Sequence, residues 1–171
     1  LEVIFESKRL LFRKIVKSDF YHLCSILQDK EVMYAWEHEF TDEEVKSWID
    51  KNLNRYSNEG YSYFAVIEKY TYRFIGVIGP LLEKIGVGEQ IGIAYILNKQ
   101  YWGKGFAVEG AKASMEYAFQ HLGADKVIAQ IRPNNLPSRK VAEKLGMTIE
   151  GEYMKQYKDK EMLHLVYSCE K

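Results

Sequence analysis

Apolar residues change their spacing several times along the chain, and each change marks a predicted element. Leu10, Phe12 and Ile15 within Arg9 to Val16 suggest a first strand, with imperfect alternation. Ser18 then has the character of an N-cap for a helix in which Phe20, Leu23, Cys24 and Leu27 recur at helical spacing. Thr41-Asp-Glu-Glu44 is a capping box, and it starts a second helix with Val45, Trp48, Ile49 and Leu53 on one face. From Tyr61 the period becomes strand-like: Tyr61 to Ile67, Phe74 to Ile78 and Ile91 to Leu97 read as short strands joined by turns. Between Gly103 and Leu122 the helical period returns, with Ala107, Ala111, Met115 and Ala118 on one face and Glu109, Lys112 and Glu116 on the other.

Lys126 to Ile131 follows as a strand. The run from strand through helix to strand covers roughly 30 residues, the length of a right-handed parallel crossover, which lays the helix against the sheet. Pro133-Asn-Asn-Leu-Pro137 breaks the chain, and a short helix with Val141, Ala142 and Leu145 inward runs to Gly146, a natural stop. Met147 to Tyr153 and Met162 to Ser168 predict a closing hairpin. The order predicts an α/β fold: one mixed sheet, two early helices and two late ones, in a single domain over residues 1–171.

Composition narrows the function classes. A hydrophobic content of 47% with 14% aromatic residues suffices for one sizeable core. Lys plus Arg equals Asp plus Glu at 24 each, so no one-sided field draws nucleic acid or an anionic membrane, and neither is expected as a partner. The N-terminus lacks the basic start and long apolar run of a secretory signal, and no stretch approaches a membrane span, so a cytoplasmic location is expected. The first residue is Leu1 rather than Met, which suits a processed or truncated start. Cys24 and Cys169 lie far apart without a CxxC or His-rich partner set; buried free thiols are expected, with neither a disulfide framework nor a metal. The sequence leaves room for a homo-oligomer.

The chemistry concentrates at Gln100-Tyr-Trp-Gly-Lys-Gly-Phe-Ala107. A strand ending near Leu97, a turn with Gly103 and Gly105, and a helix directly after form an arrangement that binds phosphate: backbone N–H groups point into the turn, and the helix dipole favours an anion. Two familiar phosphate patterns fail on spacing. The dinucleotide pattern GxGxxG needs glycine where Val108 stands, and the P-loop needs Lys directly after Gly110, where Ala111 stands.

The turn fits the [Q/R]xxGx[G/A] pattern of the GNAT superfamily of N-acetyltransferases, as Gln100-Tyr-Trp-Gly103-Lys-Gly105. Tyr95 to Glu109, the opening Ser7-Lys-Arg-Leu-Leu-Phe-Arg13, Asn135-Leu-Pro-Ser138 and Lys144-Leu-Gly-Met147 resemble the ribosomal-protein N-acetyltransferase-like branch, in the right order over nearly the whole chain. The resemblance implies a central mixed, mostly antiparallel sheet of about seven strands with a splayed middle pair, flanked by about four helices. It implies acetyl-CoA as co-substrate. The pantetheine arm would enter the splay and pair with main chain near Ile96, Leu97 and Asn98. Gln100, Trp102, Gly103, Lys104, Gly105, Phe106 and Ala107 would form the pyrophosphate site.

Acetyl transfer by direct attack needs a neutral amine, stabilisation of the developing oxyanion and a proton for the departing thiolate. By the resemblance Asn135 hydrogen-bonds the pantetheine and Ser138 is the candidate acid, although Asn135 also suits a helix N-cap on its own account. The tyrosine acid that many superfamily members carry seven residues after this Asn is replaced by Ala142. Glu37, His38 and Glu39 are candidate bases, with Glu89 and Gln90 behind them. Trp36, the Glu37 to Glu39 cluster and the Leu81 to Gly88 loop are expected to set the acceptor, with Trp36 and Glu37 as its binding residues, and their carboxylates favour a cationic one. Glu109, spaced to pair with Lys112, suits a structural role. Tyr61, Tyr63, Tyr95 and Tyr101 suit sheet or core positions.

The expected reaction is acetylation of a primary amine, an α-amino group at a protein N-terminus in the sense of the branch. A small-molecule amine (polyamine, antibiotic or amino-acid derivative) and a non-catalytic acyl-CoA-binding module are the alternatives, because acceptor choice resides in variable early helices and loops.

Overall fold

The structure is a computed structural model that describes residues 1–86 and 88–171. Its centre is one eight-stranded sheet: β1 (Val3–Glu6), β2 (Leu10–Lys14), β3 (Phe64–Glu68), β4 (Phe74–Ile85), β5 (Gly88–Leu97), β6 (Lys126–Ile131), β7 (Thr148–Tyr157) and β8 (Lys160–Glu170), in spatial order β1-β2-β3-β4-β5-β6-β8-β7. Every neighbouring pair is antiparallel except β5 and β6. Four α-helices complete the described chain: α1 (Phe20–Leu27), α2 (Asp42–Asn58), α3 (Phe106–His121) and α4 (Leu136–Lys144). The expected mixed α/β architecture is present, with the parallel crossover running through α3.

Several local expectations need correction. The sheet has eight strands rather than about seven, because Val3–Glu6 forms an edge strand too short to show a period. Its Phe5 ring stacks on Phe12 at 4.2 Å and on Tyr117 of α3 at 4.5 Å, so tertiary packing selects the strand. Ser18 does not cap α1. A single 3-10 turn, Lys17–Asp19, precedes that helix, and Asp19 instead accepts the Val16 N–H at 2.9 Å while pairing with Arg13 at 2.9 Å. Cys24 and Cys169 are free thiols but only half-buried. Most of the Leu81 to Gly88 loop is strand: β4 and β5 pair residue by residue out to Ile85 and Gly88, and Val87 lies outside the described residues.

The capping box expected at Thr41 forms, with Thr41 Oγ1 accepting from the Glu44 N–H at 3.2 Å and Glu44 Oε1 accepting from the Thr41 N–H at 3.1 Å. α2 is then fastened to the sheet by polar side chains as well as by Val45 and Ile49, both buried. Tyr56 Oη accepts from the Ile15 N–H at 3.0 Å and donates to the Tyr63 carbonyl. Asn52 Oδ1 accepts from Ser62 Oγ at 2.5 Å, so an amide that is 2% exposed keeps a partner. Trp48, Lys51, Asn52 and Arg55 thereby face the sheet across a cleft.

Candidate active site

β5 and β6 pair only at Ile91 with Val127 and Gly92 with Ile128, and beyond those residues the strands diverge. Pro80 determines which main-chain groups face the gap. It stands opposite Ile93 and has no N–H, so the hydrogen-bonded pairs of β4 and β5 fall at Gly79 with Ala94 and Leu81 with Gly92. Strand alternation then turns the main-chain groups of Ile93, Tyr95 and Leu97 away from β4 toward the gap. Consistently, the Asn98 N–H donates to the Ile75 carbonyl of β4 at 2.9 Å. The pairing edge expected over Ile96 to Asn98 is therefore shifted: Ile96 and Asn98 turn to β4, and Leu97 faces the gap with its carbonyl already accepting Trp102 Nε1 at 3.0 Å.

At the end of β5 the chain enters the glycine-rich turn. Asn98 Oδ1 accepts from the Gln100 N–H at 3.0 Å and closes a 3-10 turn, Lys99–Tyr101. Gly103 and Gly105 follow at φ of 75° and 81°, a left-handed conformation that disfavours any side chain with a Cβ. Gly105 is the N-cap of α3 and has no side chain to offer the helix's first amides. Among the described residues, the N–H groups of Gly103 to Val108 donate to no protein acceptor. A row of unpaired amides at a helix N-terminus, with open space over Gly103, fits an anion such as a pyrophosphate. Trp102 and Lys104 are exposed beside it, while Phe106 is buried and Ala107 half-buried.

Across the gap, Asn135 caps α4, its Oδ1 accepting from the Ser138 N–H at 3.4 Å and from Tyr34 Oη at 3.2 Å. Tyr95 Oη donates to the Ser138 carbonyl at 2.8 Å, so a tyrosine expected to be structural ties β5 to the start of α4 across the splay. Ser138 Oγ has no hydrogen-bond partner among the described residues and lines the cleft. Ala142 is fully buried.

The gap opens on a cleft of about 430 Å³ between α2, the sheet and the β7–β8 hairpin. Gly92 and Ala94 of β5 form part of its floor and leave its space unfilled. Glu83, opposite Gln90 on β4, folds across Gly92: a Cβ at Gly92 would stand 2.5 Å from Glu83 Cγ. Burial pushes the Glu83 carboxyl above its usual range, although Lys155, Arg55 and Lys51 pull it back. His164 lines the same cleft from β8, with Nδ1 2.9 Å from the Met162 carbonyl. That contact makes Nδ1 the donor and leaves Nε2 with its lone pair, and burial holds the imidazole below its ordinary pKa and hence neutral. His164 is absent from the sequence expectations, although it stands two residues after the inward Met162, and Glu83 enters them only as part of the Leu81 to Gly88 stretch expected to set the acceptor.

The structure does not bring Glu37, His38 and Glu39 to the cleft, although neighbouring Trp36 lines it. Glu37 is paired with Arg132 at 3.2 Å and Lys160 at 3.5 Å, and Arg132, then Lys160, hold its carboxyl below the usual range. His38 Nε2 contacts Glu44 at 2.8 Å, and Glu39 is exposed. Lys158 reaches Glu44 at 2.9 Å, so the region clasps the β7–β8 turn over the cleft. Glu109 pairs with Ser7 and Arg9 rather than with Lys112. Among the described residues no helix is long and apolar enough to cross a membrane, and no group of three His, Cys, Asp or Glu side chains is placed to hold a metal.

A splayed parallel pair beside an anion-binding turn, opening on a cleft with a half-buried carboxyl group and a half-buried histidine, is the layout of an enzyme that moves an acyl group from an extended thioester donor to a nucleophile. The family model described as an acetyltransferase (GNAT) domain matches residues 9–148. The chain belongs to this family and is an acetyl-CoA-dependent N-acetyltransferase. It is 33% identical over 150 residues to the uncharacterised N-acetyltransferase YnaD of Bacillus subtilis, covering 87% of this chain and 85% of YnaD. A GNAT-family acetyltransferase structure from Bacillus anthracis superposes with a TM-score of 0.80 at 29% identity, over 96% of each chain. RimL, a ribosomal alpha-N-protein acetyltransferase in complex with coenzyme A, has the same fold, with a TM-score of 0.80 at 17% identity over 99% of this chain and 98% of RimL.

Proposed function

We propose that this enzyme acetylates an α-amino group, at a peptide or protein N-terminus or on an amino-acid derivative, by direct attack of the amine on acetyl-CoA. The observation that carries the reading is that one continuous cleft is lined by Ser138 and Tyr95 beside the β5–β6 gap and by Glu83 and His164 on its walls. The amides of Gly103 to Ala107 hold the pyrophosphate, and the main chain of Ile93, Tyr95 and Leu97 lies along the pantetheine arm. The likeness of fold to RimL, named for α-amino acetylation, supports the acceptor class.

An amine must lose a proton before it can attack. Glu83 or His164 accepts it, directly or through water, since both line the cleft and neither has another partner for its reactive atom among the described residues. Ser138 Oγ supplies the proton for the departing sulfur; a thiol with a pKa of about 8.5 leaves readily, so the contribution is modest. Proximity within the cleft supplies most of the remaining acceleration.

Acetyl-CoA turnover over a panel of α-amines, polyamines and aminoglycosides, followed by thiol release, tests the reading. Release confined to α-amino acceptors supports it. Release with polyamines or aminoglycosides alone moves the acceptor to the small-molecule class, and tight acetyl-CoA binding with no release for any amine reduces the protein to an acyl-CoA-binding module.

A further inference from the structure

Four charged side chains meet on the α2 side of the cleft: Lys51 and Arg55 from α2, Glu83 from β4 and Lys155 from β7. Among the described residues none of the four forms an ion pair. Elsewhere cations near the cleft are matched, Arg132 and Lys160 by Glu37 and Lys158 by Glu44. Three cations against one carboxylate leave an excess of two positive charges, three minus one, on a wall only partly open to water. Lys51 is exposed and Arg55 and Lys155 are half-buried, so the like charges repel across a partly solvated wall, and an anion arriving among them relieves that repulsion. Lys51 registers this repulsion: partial desolvation of its exposed side chain, then the neighbouring Arg55 and Lys155, hold its ammonium below the usual lysine range.

The donor's phosphates do not supply this anion. Glu83 stands opposite Gln90 at the start of β5, whereas the glycine-rich turn begins beyond Leu97. Seven strand residues separate the two, roughly 23 Å of extended chain. The cluster instead borders Gly92, where β5 and β6 begin to part.

We infer that the acceptor carries a carboxylate within a few bonds of its amine, the ammonium being received at Glu83 and the carboxylate by Lys51, Arg55 and Lys155. The inference rests on the α-amino acetylation proposed above and narrows it to acceptors with a carboxylate close to the amine: a free amino acid, or a peptide with Asp or Glu at its first positions. It reverses the expectation of a cationic acceptor. That expectation counted the carboxylates of Glu37, Glu39 and the Leu81 to Gly88 loop, but Glu37 is neutralised by Arg132 and Lys160, neither Glu37 nor Glu39 lines the cleft, and Glu83 of the loop is outnumbered there by three cations. A polyamine would meet the excess positive wall and be repelled.

Matched acceptors differing only in a carboxylate near the amine provide the test: free Gln against glutamine α-amide, and a peptide beginning with Glu against its Gln counterpart, each titrated with acetyl-CoA and read by thiol release. The carboxylate member of each pair is expected to exceed the carboxamide by about tenfold or more in kcat/KM, the scale of hydrogen bonds to charged groups. Lys51→Met and Arg55→Met should each raise KM for the carboxylate acceptors several-fold, leaving KM for the carboxamides and the Kd for acetyl-CoA unchanged. Lys155→Gln, on an edge strand, gives the same readout if the helix variants fail to fold. Whether the free amino acid or the peptide is faster identifies the source of the carboxylate, and either supports the inference. Equal kcat/KM within both pairs overturns it while leaving α-amino acetylation standing. Absence of thiol release from every amine, with acetyl-CoA binding intact, overturns the transfer reading beneath it.

Discussion

Arg9 and Glu109 lock the connection between β1 and β2 onto the first turn of α3. Arg9 Nε donates to one Glu109 oxygen at 2.6 Å, and the Arg9 backbone N–H donates to the other at 2.7 Å, which also accepts Ser7 Oγ at 2.6 Å. The same guanidinium donates from Nη1 to the Lys104 carbonyl at 3.1 Å and lies 4.2 Å from the centroid of the Phe106 ring. Burial alone would push the Glu109 carboxyl up, but the bonds from Ser7 and Arg9 outweigh it and hold it below the usual range. One side chain thus braces both ends of the segment whose amides are to meet phosphate. Arg9→Ala should lower stability by about 1–2 kcal/mol, because the pair is partly solvated, and should weaken acetyl-CoA binding by about tenfold. Thermal unfolding and calorimetric titration with acetyl-CoA check both; unchanged affinity in a folded variant would remove the brace from the binding site.

The left-handed conformation at Gly105 gives a second prediction. At φ 81° an added methyl would meet only Arg9 Nη2, at 3.4 Å, so the cost of Gly105→Ala is backbone strain, about 1–2 kcal/mol, rather than collision. Gly105→Asn should recover part of the stability, since Asn tolerates this region. If the turn holds pyrophosphate, neither variant should recover acetyl-CoA affinity, because both place a side chain where the anion approaches. Recovery of affinity by Asn would mean the glycine serves conformation alone.

These residues also show where the sequence is legible. Gly103 and Gly105 are required by backbone geometry at one place, so a short pattern locates the turn, and the capping box at Thr41 and the stop at Gly146 follow from the same local rules. Glu83 was hidden because β4 continues seven residues past Ile78, where the period fails: Pro80 interrupts the apolar run and Gly79 has no side chain to count. The cation cluster was hidden for another reason. Lys51 and Arg55 have the ordinary spacing of a solvated helix face, and only the fold of β7 brings Lys155 opposite them. Glu37 and His38 show the converse, conspicuous polar residues spent on fastening a hairpin.

Glu83 sits where catalysis and stability pull apart. Its folded pKa is raised, so it contributes stability when protonated, and that contribution is lost as pH rises through its folded value. Glu83→Gln should therefore raise the melting temperature at neutral pH while lowering kcat by about 10²-fold or more if this carboxylate is the base. In the wild type, kcat/KM should rise with pH along a limb that lies above the ordinary carboxylate range, and this limb should vanish in the variant. A higher melting temperature with an unaltered pH–rate profile would transfer the role to His164, which His164→Gln then tests directly.

Ser138 is separable from its helix. Its N–H and carbonyl serve Asn135 and Tyr95, but its Oγ has no partner among the described residues, so Ser138→Ala preserves the backbone contacts. We expect kcat to fall by a factor of about 3–10 with the Kd for acetyl-CoA unchanged, as for a donor that assists a tolerable leaving group. A fall in acetyl-CoA affinity with unchanged kcat would make it a binding contact.

The clasp over the cleft depends on pH through Glu44. Lys158, then the Thr41 N–H and His38, outweigh burial and hold its carboxyl down at about 2, against an ordinary value of 4.5. A depressed carboxylate contributes stability that is complete above its unfolded pKa and is lost as pH falls through the folded one. The contribution is therefore full above about pH 4.5 and disappears toward pH 2. Glu44→Gln should melt below the wild type at pH 7, and the gap should narrow through this window because the wild-type carboxyl becomes neutral as well. Since Lys158 lies at the β7–β8 turn, the loosened hairpin should also raise KM for the acceptor at pH 7 without altering acetyl-CoA affinity. A melting difference that stays constant from pH 7 to pH 3 would mean that the Glu44 charge contributes nothing to stability and would leave the hairpin to be held by Glu37 and Lys160.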